Sequence, residues 1–180
     1  MRARAAQSSS ASPERLHELA SLGAQRAARA LGELAGASVG VGPLRAGDAV
    51  KEPPFETGIL FEVGGRLTGR LGLFLDALTR RSLVRLLLDE EEPEAPADMV
   101  ASALCELANI VASQTVSAIA DNLGGRISLS VPQLVLERAG ESFVEARATR
   151  GDAASDLAFV SELAAPGAEL RVLLVFVPDV

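Results

Sequence analysis

The sequence predicts an α+β domain in which two long helices pack on one face of an antiparallel sheet. Two long segments carry helical hydrophobic periodicity, and each is followed by short apolar runs of alternating facing. The connections between those runs are of hairpin length, which favours antiparallel pairing. The two halves also resemble each other. At an offset of 88 residues, Leu16, Glu18, Leu19, Ala20, Ala24, Ala30 and Gly36 recur as Leu104, Glu106, Leu107, Ala108, Ala112, Ala118 and Gly124. Leu22/Ile110, Leu31/Ile119, Val39/Ile127 and Val41/Leu129 match in kind. Self-similarity at a fixed offset indicates one unit used twice, here as a pseudo-two-fold single domain over residues 13–180.

Residues 1–12 lack the apolar stretch of a leader peptide and read as a flexible tail. Repeat one then spans about 13–88. Ser12-Pro13 is an N-cap and first-turn pair, and Glu14 suits the positive end of the helix dipole. The helix should run from 13 to 35 and stop at Gly36. A short strand-like piece follows at 37–46, and Pro53-Pro54 marks a loop. Residues 57–63 and 67–76 read as strands joined at Gly64-Gly65. A short helix is expected over 79–88. The acidic, proline-interrupted stretch 89–97 is a solvated connector. Repeat two, about 98–180, opens with a helix capped by Asp98 and ending at Gly124-Gly125. Strands are expected at 126–136, 142–149, 157–163 and 170–177. The last of these resembles the run Arg70–Asp76.

Composition narrows the function. The chain has 180 residues and is 48% hydrophobic, without Trp or Tyr, so its core must be built from Leu, Val, Ile and Ala. A net charge of −7 argues against nucleic acid as a partner, which needs clustered positive charge. The single Cys105 cannot form an internal disulfide, which fits a reducing, cytoplasmic location, and between Leu104 and Leu107 it reads as a buried structural thiol. The one histidine, His17, reads as a surface residue, and the sequence offers no cluster of metal ligands. No continuous apolar run approaches the roughly 20 residues of a membrane span.

The chemistry-bearing feature is a polar stripe on an apolar helix. Ser102, Glu106, Asn109 and Ser113 recur at helical spacing and line up on one face. One such stripe could be simply the wet side of a surface helix. Its recurrence in the other half, as Glu14, Glu18, Ser21 and Gln25, argues for more.

The phrase Ser102-x-x-x-Glu106-x-x-Asn109, followed after 22 residues by Pro132, resembles the signature of the CheC/CheX/FliY family of chemotaxis phosphatases. Val175-Phe176-Val177-Pro178-Asp179 resembles that family's closing strand. The resemblance runs from about residue 13 to 180. It implies a CheC-like fold and hydrolysis of the aspartyl phosphate on a CheY-like receiver domain. It also implies that Glu106 and Asn109 are the catalytic pair, with Ser102 and Pro132 supporting. By the same resemblance Glu106 pairs with the receiver's lysine. Asn109 orients the attacking water with its amide, which offers both a donor and an acceptor. The Mg²⁺ would sit on the receiver, so no cofactor of the chain's own is expected.

The first repeat departs from the signature. Glu14 stands where Asp or Ser is expected, Ser21 replaces the Asn, and Pro43 sits one residue early. Glu18 and Ser21 therefore form a degenerate first site, expected to be silent. The resemblance leaves two further partners open, a CheD-like deamidase and a second copy of this chain. A non-catalytic receiver-binding or switch-complex adaptor of the same fold is the alternative function.

Overall fold

The computed structural model describes residues 12–47, 55–89, 91, 94–140, 143 and 157–179. Helix α1 (Pro13–Ala35) starts at Ser12, whose hydroxyl accepts from the Arg15 amide, and ends at Gly36. Helix α3 (Ala97–Leu123) ends the same way at Gly124. Both glycines hold left-handed φ angles, 61° and 64°, which a side chain would strain. The start of α3 differs from expectation. Asp98 lies inside the first turn, and Pro96 occupies the cap without a side-chain bond. Between them, α2 (Ala77–Leu88) is capped by Asp76, whose carboxylate accepts from the Thr79 amide at 2.7 Å.

Among the described residues the sheet has eight strands. They are β1 (Gly40–Val41), β2 (Arg45–Gly47), β3 (Thr57–Gly65), β4 (Gly69–Leu75), β5 (Ile127–Leu129), β6 (Gln133–Val135), β7 (Ala158–Ala165) and β8 (Leu170–Pro178). Every pairing is antiparallel. The central neighbours β4 and β8 come from different halves, with Gly72 opposite Val175. Each half then contributes its outer hairpin strand, β3 or β7, to which the strands of the other half attach. β5 and β6 pair with β3, while β1 and β2 pair with β7. A 3₁₀ turn at Pro166–Ala168 joins β7 to β8.

Two expectations for the strands change. The single strand expected over 126–136 is broken into β5 and β6. Between the pairs Val63–Leu129 and Leu60–Gln133, three residues (130–132) oppose two on β3, which is a β-bulge. Pro132 lies in it and has no amide to give to the ladder. Repeat one carries the counterpart. Residues 42–44, with Pro43 among them, oppose two residues of β7. The amides of Ser130 and Gly42 donate to the carbonyls of Glu62 and Glu162, at 2.9 and 2.7 Å. Even the flanking ion pairs repeat, Arg70–Glu62 and Arg171–Glu162, both at 3.1 Å. The hairpin turn also lies later than Gly64-Gly65. It uses Arg66–Thr68, bracketed by Gly65 and Gly69, both at positive φ. Leu67, expected in the strand, is therefore in the turn.

The remaining expectations meet the described residues unevenly. Apart from Ser12, the tail 1–12 lies outside them, as do Pro53-Pro54, parts of the acidic connector and most of 142–149. Phe143, the described residue of that last span, is helical rather than extended.

The main core lies between the helices and one sheet face. Leu16, Leu31, Leu104, Leu107 and Val111 meet Ile59, Phe61, Leu73, Val172 and Phe176, so phenylalanines join the Leu, Val, Ile and Ala to which composition assigned the core. The other sheet face is not simply wet, as a two-layer scheme implies. Phe74, Ala139, Phe143, Val160 and Val175 form a second, smaller core there. Helices α1 and α3 run antiparallel, since Arg15 near the start of α1 reaches the Asn122 carbonyl near the end of α3. They cross closely: a Cβ on Gly23 would stand 2.9 Å from Thr115 Cγ2. Helix α3 is long and apolar enough by composition to cross a membrane, although no unbroken apolar run betrays it, but half of its most apolar window is buried in this fold.

Candidate functional site

The stripe residues sit on the outer face of α3. Ser102, Glu106 and Asn109 are exposed and Ser113 is half-buried. The opposite face, with Leu104, Leu107, Ala108, Val111 and Ala112, is buried. Burial of that face fixes the helix's rotation, so the stripe must face outwards. Glu106 and Asn109 are three residues apart, under one turn of about 5.4 Å, on a rigid element rather than a loop. Neither their side chains nor that of Ser102 form a hydrogen bond or ion pair with another described residue. A carboxylate and an amide are thus presented side by side, both free to engage a partner.

Pro132 is not brought to the stripe. It sits in the β5–β6 bulge and lines a cavity with Leu60, Glu62, Arg70 and Phe143. Its geometric part is local, at the sheet edge next to β3.

The first stripe is built differently. Glu14 and Glu18 are exposed and Ser21 is half-buried. Glu18 is bound by Arg15 at 2.9 Å. The same guanidinium donates to the Asn122 carbonyl at 3.0 Å, where it meets the negative end of the α3 dipole. Arg15 therefore links Glu18 to the other helix. Its counterpart in repeat two is Ala103, which can do neither. Sequence reasoning missed Arg15, because its partner lies 107 residues away and only the antiparallel helix pair brings them together. Hydrogen bonding by its own backbone amide, and then by the Ser12 hydroxyl, holds the Glu14 carboxyl below its ordinary pKa.

Two neighbours complete the inventory. Cys105 is half-buried, less than expected for a structural thiol, and burial raises its pKa, so it remains a thiol near neutrality. His17 is exposed, with its ring edge against Phe159 at 6.1 Å between centroids. Among the described residues no three His, Cys, Asp or Glu side chains gather where they could hold a metal ion.

The sequence pattern of the CheC-like family matches residues 99–136, which hold the stripe, β5, the bulge and β6. No curated protein matches the sequence significantly. Solved structures match nearly all of it. The chemotaxis protein CheX from Desulfovibrio desulfuricans superposes with a TM-score of 0.65 at 12% identity, over 90% of this chain and 99% of its own. CheX in the CheX–CheY–BeF₃–Mg²⁺ complex from Borrelia burgdorferi gives 0.62 at 14% identity, over 88% and 95%. FliY from Thermotoga maritima gives 0.62 at 18% identity, over 93% and 91%. The chain has the fold of the CheC, CheX and FliY chemotaxis proteins, and residues 99–136 carry the CheC-like family's own pattern.

Proposed function

We propose that the second stripe hydrolyses the aspartyl phosphate of a CheY-type receiver domain and so ends a chemotaxis or motility signal. One observation carries this reading: Ser102, Glu106 and Asn109 are presented together on the outer face of α3 with no described side chain engaging them, whereas the equivalent Glu18 is ion-paired with Arg15. The CheX–CheY complex, whose CheX shares this fold, supports a receiver as the partner.

The chemistry asks little of the chain. An acyl phosphate is already activated, and phosphoryl transfer depends mainly on positioning and charge. Asn109 would accept from and donate to a water and aim it at phosphorus, opposite the aspartyl oxygen. As the water oxygen bonds to phosphorus, the bond from phosphorus to the aspartyl oxygen breaks. Inorganic phosphate leaves and the aspartate carboxylate is restored. Glu106 would repel the phosphoryl group, so its place is on a partner cation, the receiver's lysine. Mg²⁺ belongs to the receiver in this reading. The activity would be cytoplasmic, where receivers work.

The test is phosphate release from a phosphorylated receiver, with wild type and Asn109→Ala side by side. Acceleration by wild type and not by the variant supports the phosphatase. Receiver binding without acceleration by either selects the adaptor instead.

A further inference from the structure

We propose that Arg26 and Arg29 form a cationic seat, in the groove between α1 and α3, for a carboxylate on the docked receiver. The inference rests on the receiver-binding reading above and adds to it which residues outside the stripe set the partner's register. The groove has a volume of about 310 Å³, with Ala30 and Ile110 among its apolar lining and Arg26, Arg29, Glu33 and Gln114 among its polar lining. Ile110 lies one helical turn from Glu106, at i, i+4, so the seat flanks the stripe.

Three observations point to an acidic occupant. Arg26 is exposed, and its side chain forms no hydrogen bond or ion pair with another described residue. Arg29 holds Glu33 at 2.9 Å, but the two side chains are 75% and 67% exposed, and so exposed a pair is only weakly held. A partner carboxylate can therefore displace Glu33 or share the guanidinium at little cost. The positive charge is also confined to one half. At the offset that relates the helices, Arg26 corresponds to Gln114 and Arg29 to Ser117, both neutral.

The chain as a whole is acidic, at −7. Its long-range field would repel an acidic surface, so a local cationic pair is needed to orient one. Arginine suits the task because its planar donors match a carboxylate. The half-groove beyond, lined by Asp121 as well as by Arg26 and Arg29, offers a carboxylate a less favourable place.

The experiment measures binding of a beryllofluoride-activated CheY-type receiver from the same organism at 50 and 500 mM salt. The variants are Arg26→Ala, Arg26→Glu, Arg29→Ala and Arg29→Glu. Arg81→Glu, on the exposed face of α2, makes the same charge change elsewhere. The expected result is a Kd raised about tenfold by either charge reversal at low salt. The effect should be smaller for the alanines and reduced at high salt, with kcat for phosphate release within twofold. Arg81→Glu should bind like wild type. Unchanged binding by the Arg26 and Arg29 variants overturns the seat and leaves the phosphatase reading standing. Equal weakening by Arg81→Glu overturns it in favour of net charge. Failure of wild type to bind any receiver overturns both.

Discussion

Glu18 and Glu106 occupy equivalent positions on equivalent helices, yet Arg15 grips Glu18 at 2.9 Å while no described residue engages Glu106. The carboxylate is ion-paired within its helix in one repeat and meets no described side chain in the other. The difference is made one turn away, where repeat one has Arg15 and repeat two has Ala103. Ser21 for Asn109 removes the amide, and Arg15 gives the neighbouring carboxylate an exposed ion pair that a partner would have to displace. Two equivalent helices thus differ in bonds made by a residue outside the stripe. Composition of the stripe alone does not reveal that.

The comparison breaks most sharply at Asn109. Asn109→Ala should lower receiver dephosphorylation on the order of 10²-fold or more, since a positioned water loses its orienting group. Its melting temperature should be unchanged, because the side chain is exposed and bonds to no described residue. Full activity in that variant would falsify the site. Glu106→Lys comes next. It should weaken receiver affinity more than tenfold, and more than Glu106→Ala does, because it sets like charges together. Titration of each variant with beryllofluoride-activated receiver checks the order, and equal affinities would remove Glu106 from docking.

Smaller effects belong to repeat one. Arg15→Ala should cost about 1 kcal/mol of stability through the lost bond to the Asn122 carbonyl at the end of α3. It should leave phosphate release untouched, and chemical denaturation beside a turnover assay separates the two. Last, Glu18→Ala combined with Ser21→Ala should keep activity within about twofold, the usual outcome for substitutions away from a working site. Loss of most activity at an unchanged melting temperature would make repeat one a second working site.

Local signals made the helices legible. Ser12-Pro13 gave the start of α1, and Gly36 and Gly124 gave both helix ends. The stripe's outward facing was legible too, because apolar positions at helical spacing dictate which side is buried. Other features depend on contacts distant in sequence. The run 126–136 has strand composition throughout, and only pairing with β3 shows the extra residue at 130–132. Asp98 is a good cap by type, yet the helix begins before it. Gly64-Gly65 has the residues of a tight turn, but Gly69 is the other end of a longer one. The second core against Phe143 and the grip of Arg15 on α3 both join residues far apart in the chain.

The exchange of strands between halves has a consequence for how the molecule assembles. The helix carrying Glu106 and Asn109 is followed directly by β5 and β6, which are zipped to β3 of the other repeat. Neither repeat can complete its sheet by itself, because each supplies the edge of its sibling. Most of the pairing must wait for loop closure across the whole chain, which makes folding a single late event rather than two early ones. Cutting the chain within the connector 89–97 should therefore yield two fragments that are unstructured apart and recover the fold when mixed. The helix that carries Glu106 and Asn109 is, in that sense, held in place by strands of the other half.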